Sequence, residues 1–202
     1  MTVGMEAATT HVDGCVDGGW LPQVRRVDSP HFSERPDGTQ IDLLVIHNIS
    51  LPPGELGGPW VEQLFCGRLD ASAHPYFATI ADNPVSAHLF IRRDGEAVQF
   101  VDLCKRAWHA GRSCWQGREE CNDYAIGIEL EGTDDMAFTD AQYLRLASLT
   151  SEIMRRFPAI TAERIVGHSD VAPGRKTDPG PAFDWVRYQR LLAQARSHAA
   201  GV

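Results

Sequence analysis

The stretch Leu43-Leu44-Val45-Ile46-His47 consists of four consecutive aliphatic residues followed by a histidine. Such a run is typical of a β-strand buried on both faces of a sheet. Asn48 and the loop Pro52-Pro53-Gly54 follow, so His47 lies where a buried strand opens into a loop. That position carries functional residues in α/β folds. A core histidine bonded to backbone is the alternative interpretation, and the commoner one for a histidine considered alone.

Two more strands are predicted further along the chain. Residues 125–132 alternate aliphatic residues with Gly127, Glu129 and Glu131, and this period of two places both glutamates on one face. Residues 164–167 form a short strand that leads into His168. All three strands therefore carry a polar residue at or near their carboxyl ends.

The remaining pattern predicts helices and one hairpin. The expected elements are an amphipathic helix over 60–68, a hairpin of 86–92 and 97–101 around Asp94-Gly95, a long loop over 104–123, and a last helix from Asp184. Thr139 and Gln142 match a capping box that starts a helix running to Phe157. We expect its inward side chains to be Leu144, Ala147, Ile153, Met154 and Phe157.

This order of elements predicts an α/β fold, a single domain with a mixed central β-sheet flanked by helices. Residues 1–19 are small, polar and aperiodic, which favours a loose N-terminal tail, and residues 20–202 would form the domain. The formal net charge of -8 argues against a nucleic-acid partner. No apolar run approaches the roughly 18 residues of a membrane span, and the start lacks the features of a signal peptide. We therefore expect a cytoplasmic protein without a membrane partner.

The chain has five cysteines: Cys15, Cys66, Cys104, Cys114 and Cys121. An odd count without a secretory signal favours reduced thiols over a disulfide framework. We expect all five to be small buried apolar side chains.

The segment from Gly167 to Gly180 contains two candidate metal ligands, His168 and Asp178, and a cation, Lys176. Prolines and glycines interrupt it, so it should form a shaped loop. A catalytic zinc takes three protein ligands and leaves the fourth position to water. His47 would supply the third ligand, giving one Zn²⁺ per chain. A structural zinc is the less favoured alternative, because such sites are closed by four protein ligands.

Glu129 is a candidate proton carrier, and Lys176 is a candidate for stabilising an oxyanion. From the residues alone, Glu131 competes with Glu129 on equal terms. A solvent-facing carboxylate and a solvated loop lysine are the simpler interpretations of Glu129 and Lys176.

These residues lie in several long motifs that occur in a known order. They are Leu43 to Gly54, His74-Pro-Tyr76-Phe, Val85-Ser-Ala-His88, Arg106-Ala-Trp108-His109-Ala-Gly, Cys121-Asn-Asp, Ile126-Gly-Ile-Glu129-Leu-Glu-Gly-Thr, Gly167-His168 and Arg175-Lys176-Thr-Asp178-Pro-Gly. Together they resemble the AmpD branch of the zinc N-acetylmuramoyl-L-alanine amidases, over nearly the whole chain from about Trp20 to about Tyr188. The wider family includes the T7-lysozyme type of amidase and the peptidoglycan recognition proteins, and the resemblance implies their fold.

The resemblance implies a cytoplasmic enzyme of peptidoglycan recycling. It would cut the amide bond between (1,6-anhydro)-N-acetylmuramic acid and L-alanine of a small muropeptide, with an indirect effect on β-lactamase induction where the host has that circuit. The implied zinc ligands are His47, His168 and Asp178, and the implied catalytic pair is Glu129 and Lys176. The implied substrate-binding residues are Asn48, Tyr76, Trp108 and His109. We expect a monomer.

The sequence departs from the family pattern at three places. The N-terminal tail is longer, and Pro84 and Glu120 stand where some relatives have basic residues. Arg112 and Arg118 are candidates to replace those cations.

Two other functions compete with recycling. A wall-binding module without activity is disfavoured because the three proposed ligands are present, and a general phage-type wall amidase is disfavoured by the absence of a wall-binding repeat.

Overall fold

The computed structural model describes residue 15 and residues 18–200. Over these residues the strands are β1 (Arg25–Arg26), β2 (Phe32–Ser33), β3 (Leu43–Ile49), β4 (Leu89–Ile91), β5 (Ala97–Gln99), β6 (Arg106–Ala107), β7 (Cys114–Trp115), β8 (Arg118–Glu119), β9 (Ala125–Glu131) and β10 (Ile165–Gly167). The helices are α1 (Trp60–Phe65), α2 (Asp140–Arg156), α3 (His168–Val171) and α4 (Trp185–Ala200). None of the described helices is long and apolar enough to cross a membrane.

Six strands form a central sheet in the order β1-β5-β4-β9-β3-β10. Strands β4, β9, β3 and β10 run parallel to one another, whereas β5 is antiparallel to β4. The predicted mixed sheet and the hairpin after Ile91 are therefore confirmed. Because β9, β3 and β10 are parallel, their carboxyl ends lie at one edge of the sheet.

One face of the sheet packs on α2 and α4. It is built from the aliphatic residues that alternate along the strands, including Leu44, Ile46, Ile126 and Ile128. The opposite face is covered by α1 and by the segment that joins β6 to β9. We call these the helix face and the site face. The side chains of His47 and Glu129 belong to the site face, since they alternate with Ile46 and Ile128.

The capping box of α2 is present: Thr139 Oγ1 accepts from the backbone N–H of Gln142 at 3.1 Å, and Gln142 Oε1 accepts from that of Thr139 at 3.1 Å. The prediction that Leu144 points inward is wrong, because its side chain is 57% exposed. The buried positions of α2 recur at Tyr143, Leu146, Ala147 and Thr150. Leu144 lies one residue off this helical period.

The predicted loop over 104–123 contains three short strands. β6 pairs with β2, and β7 pairs with β8 around a turn in which Gln116 and Gly117 both have positive φ. Such a turn closes a two-residue hairpin. The sequence did not predict this hairpin, because the turn is not flanked by alternating apolar residues.

The expectation of five reduced cysteines is wrong, because Cys15 and Cys104 form a disulfide with a Cα–Cα distance of 5.9 Å. Cys66 and Cys121 are buried as expected, but Cys114 is exposed. Residues 18–21 return along residues 99–104. There the backbone N–H of Gly19 donates to Asp102 Oδ2 at 3.1 Å, and that of Leu21 donates to Gln99 Oε1 at 2.8 Å. This return path brings together two cysteines that are 89 residues apart in sequence.

Cys15, Gly18 and Gly19 are the described residues of the predicted tail, and the others lie outside the described part of the chain. The boundary at residue 20 stays a prediction.

Candidate metal and catalytic site

Three predicted ligands converge at the carboxyl edge of the sheet. His47 lies near the end of β3, and His168 follows β10, whose residue Gly167 pairs with Ile46 of β3. The Nδ1 atoms of the two histidines are 2.9 Å apart. Asp178 Oδ2 lies 3.1 Å from Nδ1 of His47 and 3.0 Å from Nδ1 of His168. Parallel pairing of β3 and β10 therefore places the first two ligands side by side, and the loop after α3 returns the third.

The outer nitrogens of both imidazoles have partners of their own. His168 Nε2 lies 3.1 Å from the carbonyl oxygen of Ala110, which can only accept, so the proton of His168 is on Nε2. His47 Nε2 lies 3.0 Å from Nδ1 of His109. With a proton on Nε2 of each ring, both Nδ1 lone pairs point at the carboxylate of Asp178. Metal-ligating histidines are held in this way.

These donor atoms fit a zinc ion. Three lone-pair atoms about 3 Å apart repel one another unless a cation or a proton lies between them. A tetrahedral zinc with bonds of about 2.0–2.1 Å would separate its ligand atoms by about 3.3 Å, close to the distances found here. Within the described part of the chain, this histidine–histidine–aspartate group is the cluster that could hold a metal, and no cysteine belongs to it. The set matches a catalytic zinc with three protein ligands and an open position.

The protonation states also suit a metal. Burial lowers the pKa of His47 to about 4, and the neighbouring carboxylate of Asp178 compensates only in part. Burial alone would raise the pKa of Asp178, but the two imidazoles beside its carboxylate outweigh burial and lower that pKa. His47 is therefore neutral and Asp178 ionised at neutral pH, the forms that bind metal.

Asp178 is positioned by close contacts within its own loop. Its backbone carbonyl accepts from the N–H of Ser169 at 3.0 Å, and Asp170 Oδ2 accepts from the N–H of Gly167 at 2.7 Å. A Cβ on Gly180 would collide with the backbone of Asp134, and Gly180 has a φ of 81°. Only glycine fits this turn without strain.

Asn48 joins this loop to the sheet. Its Nδ2 donates to Asp134 Oδ1 at 2.8 Å and to the carbonyl oxygen of Pro179 at 3.1 Å. Both hydrogens of its amide group are thus engaged within the protein, and its predicted role in substrate binding stays a prediction. Through the bond to Pro179, Asn48 helps to position the neighbouring Asp178.

The sequence did not distinguish Glu129 from Glu131 as the proton carrier, but the two carboxylates differ in their hydrogen-bond partners. Glu131 accepts from the backbone N–H of Gly57 at 2.6 Å and from that of Arg93 at 3.0 Å, so its carboxylate holds two loops. Glu129 lies opposite His47 in the β3–β9 register and is 9% exposed. Its Oε2 has no hydrogen-bond partner within the described chain. Of the two, Glu129 is the carboxylate available for chemistry.

The surroundings of Glu129 favour a proton on its carboxylate. Burial raises its pKa well above the usual value, and the charge of Asp178 raises it further, whereas Lys176 lowers it. A carboxyl group whose pKa is raised holds an accepted proton more readily and can then return it to a leaving group.

A cleft of about 390 Å³ opens over this site. Of the predicted site residues, all but the fully buried His47 line it: Asn48, Tyr76, Trp108, His109, Glu129, His168, Lys176 and Asp178. Trp108 lies nearly parallel to the ring of His31, with centroids 6.0 Å apart, and forms an aromatic wall. His31, Asn122 and Asp134 contribute to this region but were not predicted, because their partners are distant in sequence.

The chain is similar to known amidases. A family model described as N-acetylmuramoyl-L-alanine amidase matches residues 37–181. The 1,6-anhydro-N-acetylmuramyl-L-alanine amidase AmpD of Citrobacter freundii is 61% identical over 88% of this chain and 94% of its own length.

Two solved structures are also similar. A crystal structure of a selenomethionine derivative of AmpD has 61% identity and a TM-score of 0.84, covering 86% of this chain and 97% of its own. The Escherichia coli amidase AmiD, solved with anhydro-N-acetylmuramic acid-L-Ala-D-γ-Glu-L-Lys, has 28% identity and a TM-score of 0.56, covering 80% of this chain and 65% of its own. The sequence match and the shared fold together show that the chain belongs to the N-acetylmuramoyl-L-alanine amidase family.

Proposed function

We propose that this protein uses one zinc ion to hydrolyse the amide bond between 1,6-anhydro-N-acetylmuramic acid and L-alanine of a soluble muropeptide. The observation that carries the proposal is the buried triangle of His47, His168 and Asp178, with Glu129 directly across the strand pair. The activity of the 61% identical Citrobacter freundii amidase supports the same bond.

The zinc ion would polarise the scissile carbonyl and make a water molecule more acidic. Glu129 takes the proton of the attacking water and later returns it to the nitrogen of the leaving L-alanine. Lys176, which lines the same cleft, stabilises the negative charge that develops on the carbonyl oxygen. The amide bond breaks to give a lactyl carboxylate on the sugar and a free amino group on the peptide.

Trp108, His109 and Tyr76 bind the substrate in this proposal. Trp108 and its stacked neighbour His31 give an apolar surface for one face of the sugar. Tyr76 is 38% exposed, so its ring is accessible from the cleft. The AmiD structure was solved with a ligand containing the anhydro sugar, which supports this assignment for a member of the family.

The test is a comparison of two substrates. Protein purified without chelator should contain one zinc per chain and should cleave 1,6-anhydro-N-acetylmuramyl tripeptide much faster than insoluble peptidoglycan. Comparable kcat/KM on the two would favour the general wall amidase instead. Trp108→Ala should raise KM for the anhydro substrate more than it lowers the rate on simpler muramyl peptides, because it removes a binding surface and leaves the reacting groups in place.

We also propose a cytoplasmic recycling role and a monomer. The site draws all its groups from one chain, so no second copy is needed to complete it. The disulfide is unusual for the cytoplasm, where thiols are kept reduced. Trapping the thiols at the moment of cell lysis would show whether Cys15 and Cys104 are paired in the cell, and sedimentation would test the monomer.

A further inference from the structure

Both histidine ligands rest on one short segment, residues 108–111. Its residue His109 faces Nε2 of His47 at 3.0 Å, and the carbonyl oxygen of its residue Ala110 faces Nε2 of His168 at 3.1 Å. The two ligands come from different strands, β3 and β10. A single segment of four residues therefore contacts the outer edge of both rings.

The segment is itself fixed from two sides. Asn122 Oδ1 accepts from the backbone N–H of His109 at 3.1 Å and from that of Ala110 at 2.8 Å. Arg175 Nη2 donates to the carbonyl oxygen of Ala110 at 2.6 Å and to that of Arg112 at 2.7 Å. Arg175 belongs to the loop that carries Asp178, so this bond also joins the third ligand's loop to the segment.

The sheet leaves room for the ring of His109. A Cβ on Gly127 would collide with that ring, so a glycine is needed where β9 passes beneath it. Asn122 is 4% exposed and Ala110 is 1% exposed, so these hydrogen bonds are shielded from water. Shielded bonds of this kind hold a single geometry, because their polar groups have no other partner available.

From these contacts we propose that residues 108–111 form an outer frame for the metal, in which His109 and Asn122 are positioning residues. His109 Nδ1 accepts the Nε2 proton of His47 and so directs the Nδ1 lone pair inward. Asn122 acts one step further out, because it holds His109 and the Ala110 carbonyl in register with each other. The inference rests on the proposed zinc site and adds residues that act through the ligands.

The first test measures zinc affinity by competition with a chelator of known affinity. His109→Phe keeps an aromatic ring over Gly127 but removes the acceptor for His47. We expect zinc binding to weaken by about 10–100-fold, the usual effect of losing a partner of a metal-bound histidine. The matched control is His198→Phe, which removes an exposed imidazole of α4 bonded to the Gln194 carbonyl. This control should bind zinc as the wild type does.

The second test separates positioning from simple stability. Asn122→Ala removes the acceptor for two backbone N–H groups, whereas Asn122→Asp keeps an oxygen at that place. We expect weakened zinc binding in the alanine variant and near-normal binding in the aspartate variant, with the melting temperature of the zinc-free proteins measured in parallel. A merely structural Asn122 would lower that melting temperature and leave zinc affinity unchanged. If Asn122→Ala does not fold, His109→Phe decides the question alone.

The two proposals fail in different ways. A wild type that binds one zinc, together with a His109→Phe variant of equal affinity, overturns the outer frame and leaves the amidase function standing. A wild type that binds no zinc overturns both.

Discussion

Strand β9 shows how differently the two faces of the sheet are built. On the helix face, Ile126, Ile128 and Leu130 are fully or almost fully buried in the apolar core with α2 and α4. On the site face, Gly127 lies under the ring of His109, and Glu129 has a buried oxygen without a hydrogen-bond partner among the described residues. The same seven residues thus alternate between stabilising the fold and placing reactive groups.

The site face contains buried polar groups, which cost free energy of folding. Burial lowers the pKa of His88 to about 3 and that of Arg35 to about 9, because each loses hydration of its charged form. Arg35 is held by backbone carbonyls, including those of Asp123 and Ala125, and its Nη2 lies 3.2 Å from Nε2 of His88. Buried polar groups cost free energy unless they are hydrogen-bonded. The apolar core of the helix face offsets that cost, whereas the site face holds the candidate ligands. Changes on the helix face should therefore alter stability, and changes of the ligands should alter zinc binding.

The largest effect should come from Asp178→Ala, which removes a ligand on the site face. Zinc content should fall from one per chain to near zero, and hydrolysis of the anhydro-muropeptide should fall to the assay background. The fold should persist, because the helix face is unchanged, and circular dichroism would check this. Full zinc occupancy in the variant would show that Asp178 is not a ligand.

Glu129→Gln should have the next largest effect. It removes the proton carrier but leaves the ligands, so kcat should fall by about 10²–10⁴-fold while zinc content stays at one per chain. Glu131→Gln is the matched control on the same strand and face. Its effect on kcat should be far smaller, because its carboxylate bonds to the backbone of Gly57 and Arg93. If the two effects were reversed, the wrong carboxylate would have been assigned.

The sequence predicted the parts of the fold that depend on local pattern. The aliphatic run before His47, the alternation along β9 and the capping box of α2 are each visible within about ten residues. The proximity of His47 and His168 could also be predicted, because the carboxyl ends of parallel strands lie at the same edge of a sheet. The choice between Glu129 and Glu131 did not follow, since it depends on Gly57 and Arg93, which lie 74 and 38 residues from Glu131.

Asn122 and Asp134 were missed for the same reason. Each acts through hydrogen bonds to residues on other segments. The motif Cys121-Asn-Asp marked Asn122, but a motif does not identify the partners of its residues. Two of the wrong predictions, the reduced Cys15 and Cys104 and the inward Leu144, concern the helix face and helix α2. The last two predictions test them.

The Cys15–Cys104 disulfide packs against the core of the helix face. Breaking it should destabilise the fold by about 2–4 kcal/mol, because the unfolded chain loses a long closed loop. Denaturant unfolding of the oxidised wild type, the reduced wild type and Cys15→Ser would measure this. The control is Cys114→Ser, which changes an exposed cysteine outside the disulfide. Zinc affinity should be unchanged in all four samples, and equal unfolding midpoints for oxidised and reduced wild type would show that the disulfide does not stabilise the domain.

The smallest effect should come from Leu144→Ala on the outer side of α2. Leu144 is 57% exposed, whereas Leu146, two residues along the same helix, is fully buried. Replacing an exposed side chain within a helix by alanine should change the unfolding free energy by no more than about 0.5 kcal/mol. Leu146→Ala is the matched variant and should cost about 2–5 kcal/mol, because it leaves a cavity in the core. Neither change should alter zinc affinity. If Leu144→Ala cost as much as Leu146→Ala, a surface would have to cover Leu144 in solution, and sedimentation of the wild type would then show whether a second copy supplies it.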